Sequence, residues 1–230
     1  MNKFKMGVFD MAGTTVDEKN LVYKTLEEAI SEYGYQVNLS FVLVHGAGKE
    51  KHQAIKDILK ALNIKANLDR ETDKIYEKFK HKLDMVYRHI EVRPFDGALE
   101  VFRSLRKDGV KIVLNTGYDR ETAEYLLSGL NWQIGVDFDL LVTADEVKNG
   151  RPAPDMILLA MKEFVIDDAG MVFKIGDSSV DIEEGKNAGC GLTFGITTGA
   201  QNKDQLKQAL PDYIIQTLKE LPKILLERSV

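Results

Sequence analysis

Six short apolar runs, each stopped by a polar or small residue and separated by helix-length segments, constrain this chain more than any other feature. They cover residues 5–9, 110–114, 138–141, 171–176, 192–196 and 213–215. Short continuous apolar runs of this kind read as strands buried on both faces. Helical patterns lie between them at 97–107, 120–127, 154–164, 182–188 and 204–210, and a last one closes the chain at 218–228. Strands that alternate with helices predict α/β layering around a parallel sheet.

Residues 17–93 depart from that alternation. A helix is expected over 18–33, ended by Gly34. A second segment opens at Leu39-Ser40, breaks at Gly46-Ala47-Gly48 and resumes over 49–62, with Ile55, Ile58, Leu59 and Leu62 on one face. A lysine-rich helical stretch spans 68–89, and no strand is expected in the region. Arg93-Pro94-Phe95-Asp96-Gly97 is a breaker. The expected architecture is therefore a doubly wound, Rossmann-like parallel sheet core made of 1–16 and 94–230. An all-helical cap domain, 17–93, is inserted just after the first strand, where it could close as a lid over the crevice at the strand ends.

The first strand runs into Phe9-Asp10-Met11-Ala12-Gly13-Thr14-Thr15-Val16-Asp17. A carboxylate at the carboxyl end of a parallel strand faces the ligand crevice. Gly13 permits a sharp turn. Thr14 and Thr15 can turn hydroxyls and backbone N–H groups toward an anion. Phosphoryl transfer to Asp10 is the simplest chemistry for such a group; a capped turn is the structural alternative.

Three other strand or loop ends carry polar groups. Val113-Leu114 leads into Asn115-Thr116-Gly117-Tyr118, where Thr116 offers a hydroxyl and Gly117 a close backbone approach, or a plain turn. Arg151, ahead of a proline-started helix, presents a planar fork suited to phosphate oxygens or lies on the surface. Asp177 and Asp181, in Gly176-Asp177-Ser178-Ser179-Val180-Asp181, are hard oxygen ligands of the kind Mg²⁺ prefers, or helix caps.

In this order, strand-Asp, strand-Thr, Arg-before-helix and strand-Asp-x-x-x-Asp, the chain resembles the haloacid dehalogenase superfamily over nearly its full length. The resemblance implies Asp10 as nucleophile and Mg²⁺ ligand, with the Ala12 carbonyl and Asp177 as further ligands and Asp181 supporting the metal site. It implies that Thr116 and Arg151, with Gly13 and Gly117 beside them, hold the phosphoryl group. Two departures narrow it. Ala12 stands where the superfamily's phosphatases carry a second, acid–base aspartate, and Arg151 stands where lysine is usual. Those two residues, with Asp-Met-Ala-Gly-Thr-Thr-Val-Asp and Thr-Gly-Tyr-Asp-Arg-Glu (116–121), resemble the phosphonoacetaldehyde hydrolases, or phosphonatases.

Phosphonatases break a carbon–phosphorus bond, and a lysine in the helical insert forms a Schiff base with the aldehyde to hold the leaving electron pair. In Gly46-Ala47-Gly48-Lys49-Glu50-Lys51-His52, Lys49 takes that lysine's place and His52 matches a family histidine. A helix start and the nearby Lys51, His52 and Lys56 would lower the Lys49 pKa, against Glu50. Lys49 has two other readings, a contact to a phosphate substrate and a solvated helix start. His45 replaces the family's methionine, and Asp17-Glu18-Lys19-Asn20 replaces its cysteine-containing stretch.

The expected function is a Mg²⁺-dependent hydrolase acting on a small phosphonate such as phosphonoacetaldehyde. A phosphatase of a small phosphate ester on the same core is the alternative, with His45 or His52 as a possible source of acid. A phosphate-ligand binding module without turnover is a third reading. Net charge of −5 and a sequence pI near 5.5 leave no basic stripe for nucleic acid. The single cysteine, Cys190, cannot form an internal disulfide and reads as a small buried hydrophobe. Met-Asn-Lys-Phe-Lys at the start lacks the apolar length of a signal peptide, and no stretch reaches the ~20 apolar residues of a membrane helix. A cytoplasmic enzyme is expected, with a homodimer through the cap by analogy with the family.

Overall fold

The computed structural model describes residues 3–65, 67–87 and 91–228. Six strands form one parallel sheet: β1 (Met6–Asp10), β4 (Lys111–Thr116), β5 (Leu140–Thr143), β6 (Val172–Gly176), β7 (Leu192–Ile196) and β8 (Tyr213–Ile215). Their spatial order is β5-β4-β1-β6-β7-β8, so the chain winds outward from β1 in both directions. The direction of winding reverses beside β1, and open α/β sheets bind ligands at the carboxyl ends of the strands flanking such a point.

Helices α5 (Ala98–Lys107), α6 (Arg120–Gly129), α7 (Asp155–Glu163), α8 (Ser179–Asn187), α9 (Lys203–Gln208) and α10 (Leu221–Glu227) connect the strands and close the chain. Side chains alternate across the sheet. Met6, Val8, Val113 and Val142 pack with Met156, Ile157 and Ala160 of α7 on one face. On the other, Phe9 stands edge-on to Phe102 at 4.9 Å between ring centres and to Phe173 at 5.6 Å. Such edge-to-face pairs add to the burial of large apolar area that holds β1 in the centre of the sheet.

Between β1 and β4 the chain forms α1 (Leu21–Glu32), α2 (Leu39–Gly46), α3 (Lys51–Ala61) and α4 (Leu68–Tyr87). Neighbouring helices pack on each other: α1 on α2 and α4, and α3 on α2 and α4. Ile55, Ile58 and Leu59 of α3 are fully buried, while Leu62 falls just past the helix and is only partly buried. The expected end of α4 at His89 lies outside the described residues. The expectation of no strand in this region is corrected at its two borders. β2 (Val16–Asp17) pairs antiparallel with β3 (Arg93–Pro94), a ribbon through which the chain leaves the sheet and returns. Residues 93–94, read as part of a breaker, thus carry one of its strands.

Three shifted boundaries matter for the site. β4 runs on to Thr116, because Asn115 and Thr116 pair with Val142 and Thr143 of β5. β5 begins at Leu140 rather than 138, since the Asp139 carboxylate takes the Ile112 N–H at 2.9 Å. α3 begins at Lys51 rather than Lys49, with the Glu50 carboxylate accepting from the N–H groups of His52 and Gln53. Among the described residues no helix is long and apolar enough to cross a membrane.

Candidate active site

Asp10 is the last residue of β1 and is almost wholly buried. One carboxylate oxygen, Oδ1, accepts from Arg151 Nη1 at 2.7 Å. The other, Oδ2, is buried and has no partner. The chain then turns on Met11, whose carbonyl accepts from the N–H groups of Thr14, Thr15 and Val16. Gly13, at φ 85°, gives its N–H to Val16. The threonines therefore differ from the sequence expectation. Their N–H groups are taken up by the turn, and the Thr15 hydroxyl donates to the Asp10 carbonyl at 2.9 Å. Thr14 keeps a buried hydroxyl without a partner. Ala12 sits in the turn, and its carbonyl accepts none of these bonds.

Asp177 follows β6 and lies across from Asp10. Its Oδ2 accepts from the Ala200 N–H. A Cβ on Gly13 or Gly199 would overlap that oxygen, so both backbones close directly on the carboxylate. Asp181 is in the first turn of α8, because the helix starts at Ser179, and accepts from the Ser178 hydroxyl. One oxygen from each of Asp10, Asp177 and Asp181 lies within 4.8 Å of the others, and all three residues are buried.

Two cations oppose these acids. Arg151 Nη1 also reaches Asp181 at 2.9 Å, its Nε reaches Glu184 at 3.1 Å, and its Nη2 donates to the carbonyl and side-chain oxygen of Asn115. Lys174, from the middle of β6, binds Asp181 at 2.9 Å, Glu184 at 3.3 Å and the Asn115 side chain at 2.8 Å. Burial and the neighbouring Asp181 push the Asp10 carboxyl above its ordinary pKa, with Arg151 and Lys174 pulling the other way. Burial, then Asp10 and Asp181, drive Asp177 well above the usual carboxylate range. Asp181 goes the other way: burial works against its charge, but Arg151 and Lys174 hold it below its ordinary value.

Four buried carboxylates thus face two buried cations. A divalent cation beside Asp10 Oδ2 and Asp177 would balance the excess and give the orphaned oxygen a partner. The donor set, all oxygen, fits Mg²⁺ and not a soft metal.

The loop before α3 closes the site from above. Thr116 is buried, and its hydroxyl accepts from the Tyr118 N–H at 3.2 Å. A Cβ on Gly117 would come within 2.9 Å of the carbonyl oxygens of Gly48 and Lys49, so only a glycine lets the loop rest there. The Gly48 N–H donates to the Tyr23 hydroxyl at 2.8 Å.

The loop does not turn Lys49 inward. Its ammonium pairs with Asp57 of α3 at 2.7 Å. His52 pairs with the exposed Asp73, and His45 packs against the Phe41 ring. Lys51 turns inward instead. It is 5% exposed, and its Nζ lies 5.2 Å from the Tyr23 ring centre and 5.0 Å from that of Tyr118. It donates to the Lys49 carbonyl at 2.6 Å. Burial lowers its pKa to about 8, partly offset by Glu50 and Asp10.

Asp10, Arg151, Asp177 and Asp181 therefore come together as the sequence implies, with Thr116 at the end of the neighbouring strand β4, while Lys49 and His52 do not join them. Asn115, Lys174, Glu184 and Lys51 were missed. A lysine inside the apolar run Val172–Gly176 was one available signal, because a buried charge must find partners.

The family model of haloacid dehalogenase-like hydrolases matches residues 8–194. The chain is 30% identical over 242 positions to the phosphonoacetaldehyde hydrolase of Bacillus cereus strain B4264, an alignment that covers 99% of this chain and 89% of that protein. Among solved structures, a hydrolase from Pseudomonas syringae superposes with a TM-score of 0.85 at 20% identity, covering 98% of this chain and all of the other. A phosphonoacetaldehyde hydrolase like protein from Oleispira antarctica superposes with a TM-score of 0.84 at 23% identity, covering 98% and 92%. The chain is an enzyme of the haloacid dehalogenase-like hydrolase family, and within that family it is similar to the phosphonoacetaldehyde hydrolases.

Proposed function

We propose that this enzyme cleaves the carbon–phosphorus bond of a small phosphonate, with phosphonoacetaldehyde the first candidate, by transferring the phosphoryl group to Asp10. The observation that carries the reading is the pairing of Ala12, which supplies no acid, with a buried lysine amine near enough to feel the Asp10 charge. A carbanion leaving group needs an electron sink more than a proton donor. Lys51 fits that role better than Lys49, whose ammonium is committed to Asp57. At pH 7 a lysine of pKa about 8 is neutral in roughly one molecule in ten, against fewer than about one in a thousand for an ordinary lysine.

In this reading Lys51 Nζ adds to the aldehyde carbon, water leaves, and a protonated imine forms. An Asp10 oxygen attacks phosphorus, the C–P bond breaks, and its electron pair passes into the imine to give an enamine. The enamine takes a proton on carbon. Hydrolysis of the imine returns acetaldehyde and free Lys51, and hydrolysis of the aspartyl phosphate returns Asp10 and inorganic phosphate. Arg151 holds Asp10 in line and, with Thr116, meets the phosphoryl oxygens. Asp10, Asp177 and the Ala12 carbonyl would hold Mg²⁺, with Asp181 anchoring Arg151 and Lys174 beside them. When bound, the ion supplies positive charge for the transferring phosphoryl group.

Borohydride reduction in the presence of phosphonoacetaldehyde, followed by peptide mapping, tests this reading. The expected adduct is on Lys51; no adduct on any lysine together with no acetaldehyde release would refute it. The same Lys51 supports a second reading, because an ammonium of pKa about 8 can protonate the alkoxide of a phosphate ester. Under that reading Lys51→Met should lower ester turnover by about 10²-fold, and phosphonoacetaldehyde should go unused.

A further inference from the structure

A cavity of about 490 Å³ opens between α3 and α4 on one side and the loops after β4 and β5 on the other. Lys51 and Gly117 are both in its wall, so the cavity adjoins the loop before α3 where that loop rests on the end of β4. The rings of Tyr76, Phe79, Tyr87, Tyr118 and Tyr125 line it. Tyr76 stacks near Phe79 at 6.3 Å, and Tyr87 near Tyr125 at 5.7 Å. Two of these ring faces already hold ammonium groups of the protein, Lys51 over Tyr118 at 5.0 Å and Lys80 over Tyr76 at 4.9 Å.

Acidic residues outnumber basic ones in the wall, Glu50, Asp84, Asp119, Glu121 and Asp145 against Lys51 and Lys80. The Glu50 and Asp119 carboxylates also cap helices, and their charge is still felt at Tyr76. Lys80 is itself paired with Glu77. The hydroxyls of Tyr87 and Tyr118 are buried and lie near one another, yet neither closes a hydrogen bond of normal geometry.

The cavity falls in the range of ~300–1,000 Å³ that takes drug-sized organic molecules. A two-carbon aldehyde, on the order of two or three waters at about 30 Å³ each, would occupy little of it. Aromatic faces together with an excess of carboxylates favour an organic cation and disfavour an anion. We infer that this cavity binds a small organic cation with an aromatic or apolar body, and that under the phosphate-ester reading this cation is the non-phosphoryl part of the substrate. The inference rests on that ester reading for its place in the reaction, but not for the binding it requires.

Calorimetric titration of the Mg²⁺-loaded enzyme with phenethylamine and with phenylacetate, similar in size and opposite in charge, tests the binding. Phenethylamine should bind at least about tenfold more tightly. Thr122→Trp, which fills the cavity from α6, and Tyr125→Ala, which removes an exposed ring, should each weaken it by about tenfold or more. Equal binding of the two probes, no binding of phenethylamine, or indifference of both variants would overturn the inference. Turnover of 4-(2-aminoethyl)phenyl phosphate against 4-(carboxymethyl)phenyl phosphate then places the cavity in the reaction. A preference of about tenfold for the amine, lost in Thr122→Trp, is expected. If the phosphate-ester reading fails, neither ester turns over while phenethylamine still binds. If the cavity has another role, esters turn over without preference.

Discussion

Arg151 Nη1 lies 2.7 Å from Asp10 Oδ1 and leaves Oδ2 as a buried carboxylate oxygen with no partner. The guanidinium is held from three sides, by Asp181, by Glu184 and by Asn115. A lysine has the charge but one nitrogen in place of three, so it cannot reproduce the separate reach of Nη1 to Asp10, Nε to Glu184 and Nη2 to Asn115. Arg151→Lys is expected to lower kcat by about 10²-fold with a smaller change in KM, since the lost contact positions the nucleophile. Arg151→Met should also destabilise the protein by about 3–5 kcal/mol, because Asp181 and Glu184 lose a buried cation. Steady-state kinetics and denaturant unfolding read both; variants within about twofold of the parent would contradict the assignment.

The Lys51 amine must be neutral to add to an aldehyde. With its pKa lowered to about 8 by burial, kcat/KM for phosphonoacetaldehyde should rise with pH and level off above about 8. Were Lys51 the acid for an ester, the profile would instead fall above that pH. Stability carries the same signature. A lysine whose folded pKa lies below its unfolded value near 10.5 costs stability in full below about pH 8, and the cost fades as pH rises toward 10.5. Unfolding free energy should therefore climb across that window, and Lys51→Met should flatten the climb. Parallel pH profiles of parent and variant would refute the shift.

Gly117 controls how closely the loop before α3 approaches β4. An added Cβ meets the carbonyls of Gly48 and Lys49, both backbone atoms that cannot swing aside. Gly117→Ala is expected to lift the loop and carry Lys51 with it, costing up to about 10²-fold in kcat/KM. The midpoint of thermal unfolding should move little, since the sheet beneath is untouched. Full activity in this variant would mean that the loop's position is not part of the chemistry.

The sheet was legible because each strand is an apolar run with a definite end, and the site lies on those ends. Asp10, Thr116 and Asp177 could be found from that alone. The ribbon of β2 and β3 was hidden because two residues carry no periodicity, and Pro94 reads as a stop. Lys174 was hidden in the opposite way: its strand was recognised and its charge was passed over. Glu184 stands one helical turn beyond Asp181 and so shares its face of α8, but that spacing serves salt bridges on any helix. The exchange of Lys49 for Lys51 follows from the cap. Glu50 takes the first N–H groups of α3, the helix begins two residues later than the pattern suggests, and the inward direction falls to the later lysine.

The proposed reaction turns on a covalent bond between phosphorus and Asp10. Acid quenching within the first turnover on phosphonoacetaldehyde and Mg²⁺, followed by mass spectrometry of the peptide around Asp10, reads it directly. A phosphoryl group on Asp10 is expected in the parent, and Asp10→Asn should lack both the adduct and at least ~10⁴-fold of the activity. Phosphate release with no phosphorylated Asp10 at any time, and turnover retained in Asp10→Asn, would contradict it.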